Sequence, residues 1–256
     1  VYSRNILVIL HTKDELIEGA VAYLHIYFLG MPALALYNFG NAVFSAGGNT
    51  KNPFMYLSIA GVLNVILNLF FVIVLKIDVR GVALASAISQ YVSAFLIVRD
   101  LFGSHEIYRL RWGEMRLTGH KAKRILQIGV PSAFQYMIYS VANLFVQSGV
   151  NSFSATVVSG NSAAMNADNL VYDIMAAFYT VCGTFMGQNL GARNKKRVIN
   201  SYLISLLYST LIAVVAGILL VIFSHQFLGL FANDKAVIDA GVDRLMIMAS
   251  CYWLSA

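Results

Sequence analysis

Long apolar runs separated by short polar intervals are the main pattern of this chain. Six runs reach the roughly 20 residues that a helix needs to cross a bilayer core of about 30 Å. They cover residues 22–45, 54–75, 81–102, 125–150, 161–187 and 199–224, and a seventh begins near Asp243. The runs are continuous and lack the alternation of barrel strands. Because a backbone in lipid must satisfy its own hydrogen bonds, the pattern predicts an all-α, polytopic transmembrane helix bundle.

The composition agrees with a membrane protein. Of the 256 residues, 59% are hydrophobic and 12% are charged, whereas an ordinary soluble domain has about 25% charged residues. So few charges cannot cover this much apolar surface in water, so we expect a multi-pass protein of the plasma or inner membrane. The chain starts with Val1 and stops inside an apolar run, so we expect an internal piece of a longer polypeptide.

Enzyme and metal motifs are missing from the sequence. Cys182 and Cys251 lie far apart, and no CxxC, HExxH or GxSxG pattern occurs. We therefore expect neither an enzyme nor a cofactor.

Lys and Arg residues are unevenly divided between alternate loops. Twelve of the 18 follow the first, third and fifth runs, mostly within 99–124 and 193–197, and six lie on the opposite side. The richer side is expected to be cytoplasmic. Since the net charge of +6 lies in short loops between apolar runs, we expect no nucleic-acid partner. The basic interval 103–124 predicts a cytoplasmic linker that lies on the membrane surface as a helix.

An internal repeat indicates the larger architecture. Segment 10–26 aligns without gaps on segment 231–247, at an offset of 221 residues. Six predicted spans separate equivalent points, and an even number restores orientation, so the repeat is parallel. This is an arrangement known in secondary transporters. The match predicts parts of two pseudo-symmetric six-helix lobes, although two similar short loops remain the alternative.

On this interpretation the chain has three parts. Residues 1–102 are the C-terminal half of the first lobe with three full spans, and 103–124 are the basic cytoplasmic linker. Residues 125–256 are the N-terminal part of the second lobe, with three full spans and a truncated fourth.

Two stretches carry a family resemblance. The first contains GMPALALYN and GGNTKNP within 23–53 and continues through LNVILNLFFVIVLKIDVRGVALASAISQ at 63–90. The second is TFMGQNLGARNKKRV at 184–198. In combination they resemble the multidrug and toxic compound extrusion (MATE) transporters. The resemblance implies the fourth to ninth helices and part of the tenth. Ser45 and Asn49 stand where the family often has Arg and Asp, so a charged pair is replaced by neutral residues.

Two carboxylates inside the fifth run are the strongest candidates for chemistry. An ionisable residue at bilayer depth faces the bundle interior or a water-filled cavity, and Asp168 and Asp173 are the acids of this kind. Asn166, Asn169 and Asp173 share one helix face, whereas Asp168 lies about 140° away from Asp173. Cation or substrate binding, including Na⁺ at either acid, and structural hydrogen bonding both remain open. The family resemblance places Asp168 where many members carry an acid near the start of the eighth helix.

Further polar residues occur in other spans. Each must hydrogen-bond to another helix, to backbone or to cavity water, so helix contacts and a substrate cavity are both open roles. The candidates for substrate binding are Tyr37, Asn38, Gln135, Tyr139 and Asn143.

The resemblance implies a secondary antiporter. Such a protein exports organic, often cationic, compounds in exchange for H⁺ or Na⁺, by alternating access between two lobes. The alternative is a lipid-linked saccharide flippase of the same superfamily, which needs Arg or Lys deep in its spans for pyrophosphate. The expected partners are a small-molecule substrate and the lipid bilayer, and we expect a monomer.

Overall fold

The computed structural model describes Arg4, residues 14–116 and residues 118–255 of the chain. Helices in these residues are α1 (Asp14–Ala46), α2 (Lys51–Leu69), α3 (Asp78–Gly103), α4 (Gly119–Val150), α5 (Ala155–Gly191), α6 (Lys195–Ile222), α7 (Ser224–Leu228) and α8 (Lys235–Ser255). A π-helical turn, Phe70–Val74, extends α2, and a 3-10 turn covers Trp112–Glu114. Since no strand occurs in the described residues, the predicted all-α fold is confirmed.

Each of the six predicted spans coincides with a long helix, but α1 begins eight residues, and α4 and α5 begin six residues, before the predicted starts. Among the described residues, five helices are long and apolar enough to cross a membrane, and they lie at Ile17–Ala46, Lys51–Val74, Asp78–Gly103, Ala155–Gly191 and Lys195–Ile222. The sixth predicted span lies in α4, which has 32 residues and is less apolar on average than the other five helices. The seventh run belongs to α8, which begins at Lys235, eight residues before the predicted start.

The chain divides into two units, residues 1–116 and residues 117–256. The boundary falls inside the predicted linker. The assignment of these units to two six-helix lobes stays a prediction. Residues 14–26 and 235–247 are helical throughout, as their equivalence in the repeat requires, whereas residues 10–13 lie outside the described part of the chain.

In the first unit, α3 packs against both α1 and α2. Its alanines, including the fully buried Ala83 and Ala85, allow the close approach that is typical of membrane helices. Near the C-terminal ends of the two helices, Phe44 of α1 packs with Ile97 of α3. A Cβ atom on Gly40 would lie 3.0 Å from the Ile97 side chain, so the absence of a side chain brings α1 and α3 together there.

The linker is not the surface helix that the sequence predicts. Residues 104–116 and residue 118 are irregular apart from one 3-10 turn, so the helix predicted over 103–124 is wrong for most of its length. The physical reason is that this segment folds back onto the first unit. The Leu110 N–H donates to the Leu101 carbonyl at 2.9 Å, and the Trp112 ring stacks on Phe102 with centroids 4.6 Å apart. These tertiary contacts replace helical hydrogen bonds.

In the second unit, α5, α6 and α8 pack against one another. The closest approach joins α5 to α8, where a Cβ atom on Gly160 would lie 2.6 Å from the Val237 carbonyl oxygen and 2.8 Å from the Gly241 nitrogen. Ala164 and Ala167 of α5 are fully buried in the same core. By contrast, none of the residues of α4 is buried.

Candidate functional site

Asp168 lies at the centre of a polar cluster between α5 and α8. The Arg244 guanidinium Nη2 donates to Asp168 Oδ2 at 3.0 Å, and the Tyr252 hydroxyl donates to Asp168 Oδ1. Through Nη1, Arg244 also donates to the Asn161 side-chain oxygen. Both carboxylate oxygens are therefore occupied, one by a positive charge.

The cluster is largely shielded. The Asp168 and Arg244 side chains are 16% and 28% exposed, and Asn161 and Tyr252 are 7% and 5% exposed. Charges attract more strongly where water is scarce, and a carboxylate with a paired guanidinium is electrically neutral as a unit. A sodium ion at Asp168 would have to compete with Arg244.

The local helix geometry builds this cluster. Asn161 and Asp168 are seven residues apart, two turns along the same face of α5. The contact between Gly160 and Gly241 brings α8 close to α5 about one turn before Arg244, so its guanidinium reaches both side chains.

Asp173 has different surroundings from Asp168. It is the middle residue of the 37-residue helix α5, and it is exposed together with Asn166 and Asn169. The buried Val171 is two residues from both Asn169 and Asp173, so it lies on nearly the opposite side of the helix. The structure thus gathers the three predicted residues into one exposed polar face, which points away from the packed core of the second unit.

The predicted residues of the first unit have distinct environments. Tyr37 is 5% exposed and its hydroxyl donates to the Pro53 carbonyl at 2.9 Å, so it packs α1 against the start of α2. Asn38 is exposed. The substituted positions of the family motif have neutral hydrogen bonds, because Asn49 accepts from the Asn52 backbone N–H at 3.2 Å.

The predicted residues of α4 all lie at its surface. Gln135, Tyr139 and Asn143 are exposed and follow one another at intervals of four residues, so they occupy neighbouring positions on one side of the helix. They are not brought together with the Asp168 cluster by any contact among the described residues.

Sequence reasoning missed Arg244, Tyr252 and Asn161 as parts of the cluster. Because the seventh run is predicted to begin near Asp243, Arg244 is counted among the basic residues of the preceding loop. In the structure it lies more than two turns from either end of α8. The signal that could have found it is electrostatic, because an acid in a membrane helix calls for a partner.

A second polar cluster also went unpredicted, between α2 and α3 of the first unit. Asn52 and Tyr56 of α2 both donate to Asp100 Oδ2 at 2.9 Å. These hydrogen bonds connect the start of α2 with the end of α3. Within the described residues, no group of three or more His, Cys, Asp or Glu side chains is arranged to hold a metal ion.

Comparison with known families supplies the decisive observation. The MatE family model matches residues 1–70 and 131–256, which is well over half of the chain. The chain belongs to the MatE family. The resemblance read from its motifs is confirmed, and a MatE protein is a multi-pass membrane protein of a transporter family.

Relatives of this MatE chain include two bacterial proteins. "Probable multidrug resistance protein YpnP" of Bacillus subtilis (strain 168) is 28% identical over 255 residues, covering 98% of this chain and 56% of that protein. "Probable multidrug resistance protein NorM" of Thermotoga maritima is 22% identical over 231 residues, covering 89% and 50%. The chain therefore spans about half the length of the curated relatives it matches.

Solved structures agree on the fold. A crystal structure of MATE in complex with MaL6 matches 99% of this chain and 58% of its own, with a TM-score of 0.84 and 21% identity. The MatE chain therefore has the MATE helical fold.

Proposed function

We propose that the intact protein is a secondary antiporter that exports organic, often cationic, compounds in exchange for H⁺ or Na⁺ by alternating access. One observation carries the proposal beyond family membership. A membrane helix, α5, exposes Asn166, Asn169 and Asp173 on a face that takes no part in packing α5 onto α6 and α8. Because a carboxylate and two amides are costly against lipid, this face is best suited to a water-filled substrate pathway.

The chemistry of this face favours a cationic compound. Asp173 has no hydrogen bond or ion pair with another described residue, so its charge is available to a positively charged ligand. The neighbouring amides can donate or accept hydrogen bonds, which suits a weakly selective pathway. The names of the bacterial relatives, both multidrug resistance proteins, support the same substrate class.

The energetics of exchange are sufficient for export. A cation that moves inward through ~100 mV supplies about 2.3 kcal/mol. Since about 1.4 kcal/mol corresponds to a tenfold ratio, one such ion sustains a concentration ratio of roughly fifty for a neutral compound. One-for-one exchange with a monovalent cationic compound moves no net charge, so it is driven by the concentration gradient of the coupling ion. The choice between H⁺ and Na⁺, and a monomeric assembly, stay predictions.

A lipid-linked saccharide flippase fits the residues less well. Recognition of pyrophosphate calls for several basic side chains within the membrane. Among the described Lys and Arg residues, Arg244 is the one more than two turns from a helix end, and its guanidinium is already paired with Asp168. The described spans therefore offer no basic cluster for a diphosphate.

The test is transport by the purified intact protein in liposomes. We expect movement of a fluorescent cationic dye that depends on an imposed H⁺ or Na⁺ gradient and collapses when the gradient is dissipated. The proposal would be wrong if the liposomes showed no gradient-driven dye movement but did translocate a fluorescent lipid-linked saccharide. The flippase would then be the better assignment.

A further inference from the structure

Four side-chain oxygen atoms belong to the hydrogen-bonded cluster that includes the Arg244 guanidinium, and two of the four accept directly from it. They are the two carboxylate oxygens of Asp168, the amide oxygen of Asn161 and the hydroxyl oxygen of Tyr252. Carboxylate, amide and hydroxyl oxygens are also the ligands that hard cations prefer. The cluster is therefore chemically suited to a cation. The cation that occupies it is the guanidinium of Arg244.

The arrangement is held in place by the helices. At Gly160 and Gly241, α5 and α8 touch through their backbones, and a Cβ atom on Gly241 would lie 2.9 Å from the Gly160 carbonyl oxygen. Leu245, the neighbour of Arg244, is fully buried in the core. Because both helices are fixed next to the cluster, the backbones of Arg244 and Asp168 hold the two side chains within reach of each other.

We propose that Arg244 is a tethered counter-ion that fills the oxygen cluster of Asp168, Asn161 and Tyr252 and excludes a monovalent cation from it. Asp168 is then a positioning residue that joins α5 to α8. The carboxylate left for the exported compound or the coupling ion is Asp173. The assignment of Asp173 rests on the proposed function, whereas the role of Arg244 as a counter-ion does not.

Removal of Arg244 should destabilise the protein and leave the oxygen cluster without its cation. Removing one partner of a shielded ion pair leaves an uncompensated charge, which is strongly destabilising. The Arg244→Ala change also opens a space beside three oxygen-bearing side chains. Na⁺ binds only the folded form of such a site, so it should stabilise the protein by mass action.

The first test measures thermal unfolding of the intact protein in detergent, in NaCl and in choline chloride at equal concentration. We expect the Arg244→Ala midpoint in choline to lie about 5 °C or more below that of the unmodified protein. Na⁺ should recover part of this loss. The Asp168→Asn/Arg244→Ala double variant should show none of this recovery.

Two results would overturn the proposal. One is an Arg244→Ala midpoint that is the same in Na⁺ and choline. The other is a Na⁺-dependent stabilisation of the unmodified protein that Asp168→Asn abolishes, because Na⁺ would then bind beside Arg244.

A second set of variants decides the matter if Arg244→Ala does not fold. The neutral pair Asp168→Asn/Arg244→Gln should unfold at a higher temperature than either single variant, since no charge is left alone. Arg244→Lys, which retains a tethered cation, should fold without a response to Na⁺. A neutral pair less stable than both single variants, or a Na⁺ response in Arg244→Lys, contradicts the proposal.

Dye transport separates this inference from the proposed function. If the neutral pair folds and still exchanges dye for the coupling ion, Asp168 does not carry that ion. If it folds but loses all transport while the unmodified protein is active, Asp168 takes part in transport and the counter-ion role is wrong. An unmodified protein without dye transport refutes the proposed function alone, because the unfolding measurements still decide the role of Arg244.

Discussion

Asp168 and Asp173 lie five residues apart on one helix, yet their surroundings give them different chemistry. Asp168 is mostly shielded and shares its charge with Arg244 at 3.0 Å. Asp173 is exposed in the middle of α5, beside the amide of Asn169. A carboxylate whose charge is already balanced gains little from an external cation, whereas an unbalanced carboxylate at membrane depth gains much.

We predict that Asp173→Asn impairs transport without unfolding the protein. The neutral amide removes the charge that attracts a cationic compound, and a charged hydrogen bond contributes about 1.5–3 kcal/mol. Gradient-driven dye transport in liposomes should therefore fall about tenfold or more. Because the side chain is exposed, the free energy of unfolding should change by no more than about 0.5 kcal/mol.

Glu106→Gln is the matched control for this change. It removes one negative charge from an exposed residue of the linker, outside the helices, and should leave dye transport unchanged. Full transport by Asp173→Asn, with normal insertion, would exclude that carboxylate from the pathway.

At the scale of the element, glycine contacts decide how the helices pack. Gly160 and Gly241 allow α5 and α8 to touch through their backbones. Gly217 of α6 also lies close to α8, since a Cβ atom there would be 3.0 Å from the Ala249 carbonyl oxygen. Without a hydrophobic driving force between helices in lipid, such close packing provides much of the association energy.

We predict that Gly160→Ala destabilises the second unit. The added Cβ atom would meet backbone atoms of α8 at 2.6 and 2.8 Å, and backbone cannot move aside as a flexible side chain can. Overpacking of this kind lowers the free energy of unfolding by about 1–3 kcal/mol. Thermal unfolding in detergent measures the effect.

Gly183→Ala on the same helix is the control for Gly160→Ala. No described atom lies within 4 Å of the Cβ position at Gly183, so the change adds helix propensity without a clash and should raise stability by up to about 1 kcal/mol. Equal unfolding temperatures for the two variants would show that the glycine contact does not hold α8 on α5.

The elements were predictable to different degrees. Apolar runs located α2, α3 and α6 closely, because a bilayer imposes a minimum length on each helix. The linker was not predictable as an irregular segment, because its conformation depends on tertiary contacts such as the stacking of Trp112 on Phe102. The sequence of the linker alone does not indicate such contacts.

The candidate site was predictable only in part. The spacing of Asn166, Asn169 and Asp173 was enough to predict a shared face, because helical periodicity is local. The partners of Asp168 come from 76 and 84 residues further along the chain. Their identification needs the crossing of α5 and α8, which depends on the glycine contact and not on periodicity.

At the scale of the whole molecule, family membership and fold agree with the sequence motifs. The MatE family model covers most of both units, and the charge distribution predicts the orientation, with 12 of 18 basic residues on the cytoplasmic side. The central claim about function is narrower, namely that one face of α5 meets water and substrate within the membrane.

Cysteine labelling tests this claim most directly. Asn169→Cys and Ala167→Cys are compared in the intact protein in membranes, with Cys182 and Cys251 replaced by serine, using a charged, water-soluble thiol reagent. Asn169 is exposed on the polar face, whereas Ala167 is fully buried against the core. We predict that Asn169→Cys reacts, that a transported cationic dye slows this reaction, and that Ala167→Cys stays unmodified. An unreactive Asn169→Cys, or equal reaction of both variants unaffected by dye, would contradict the account.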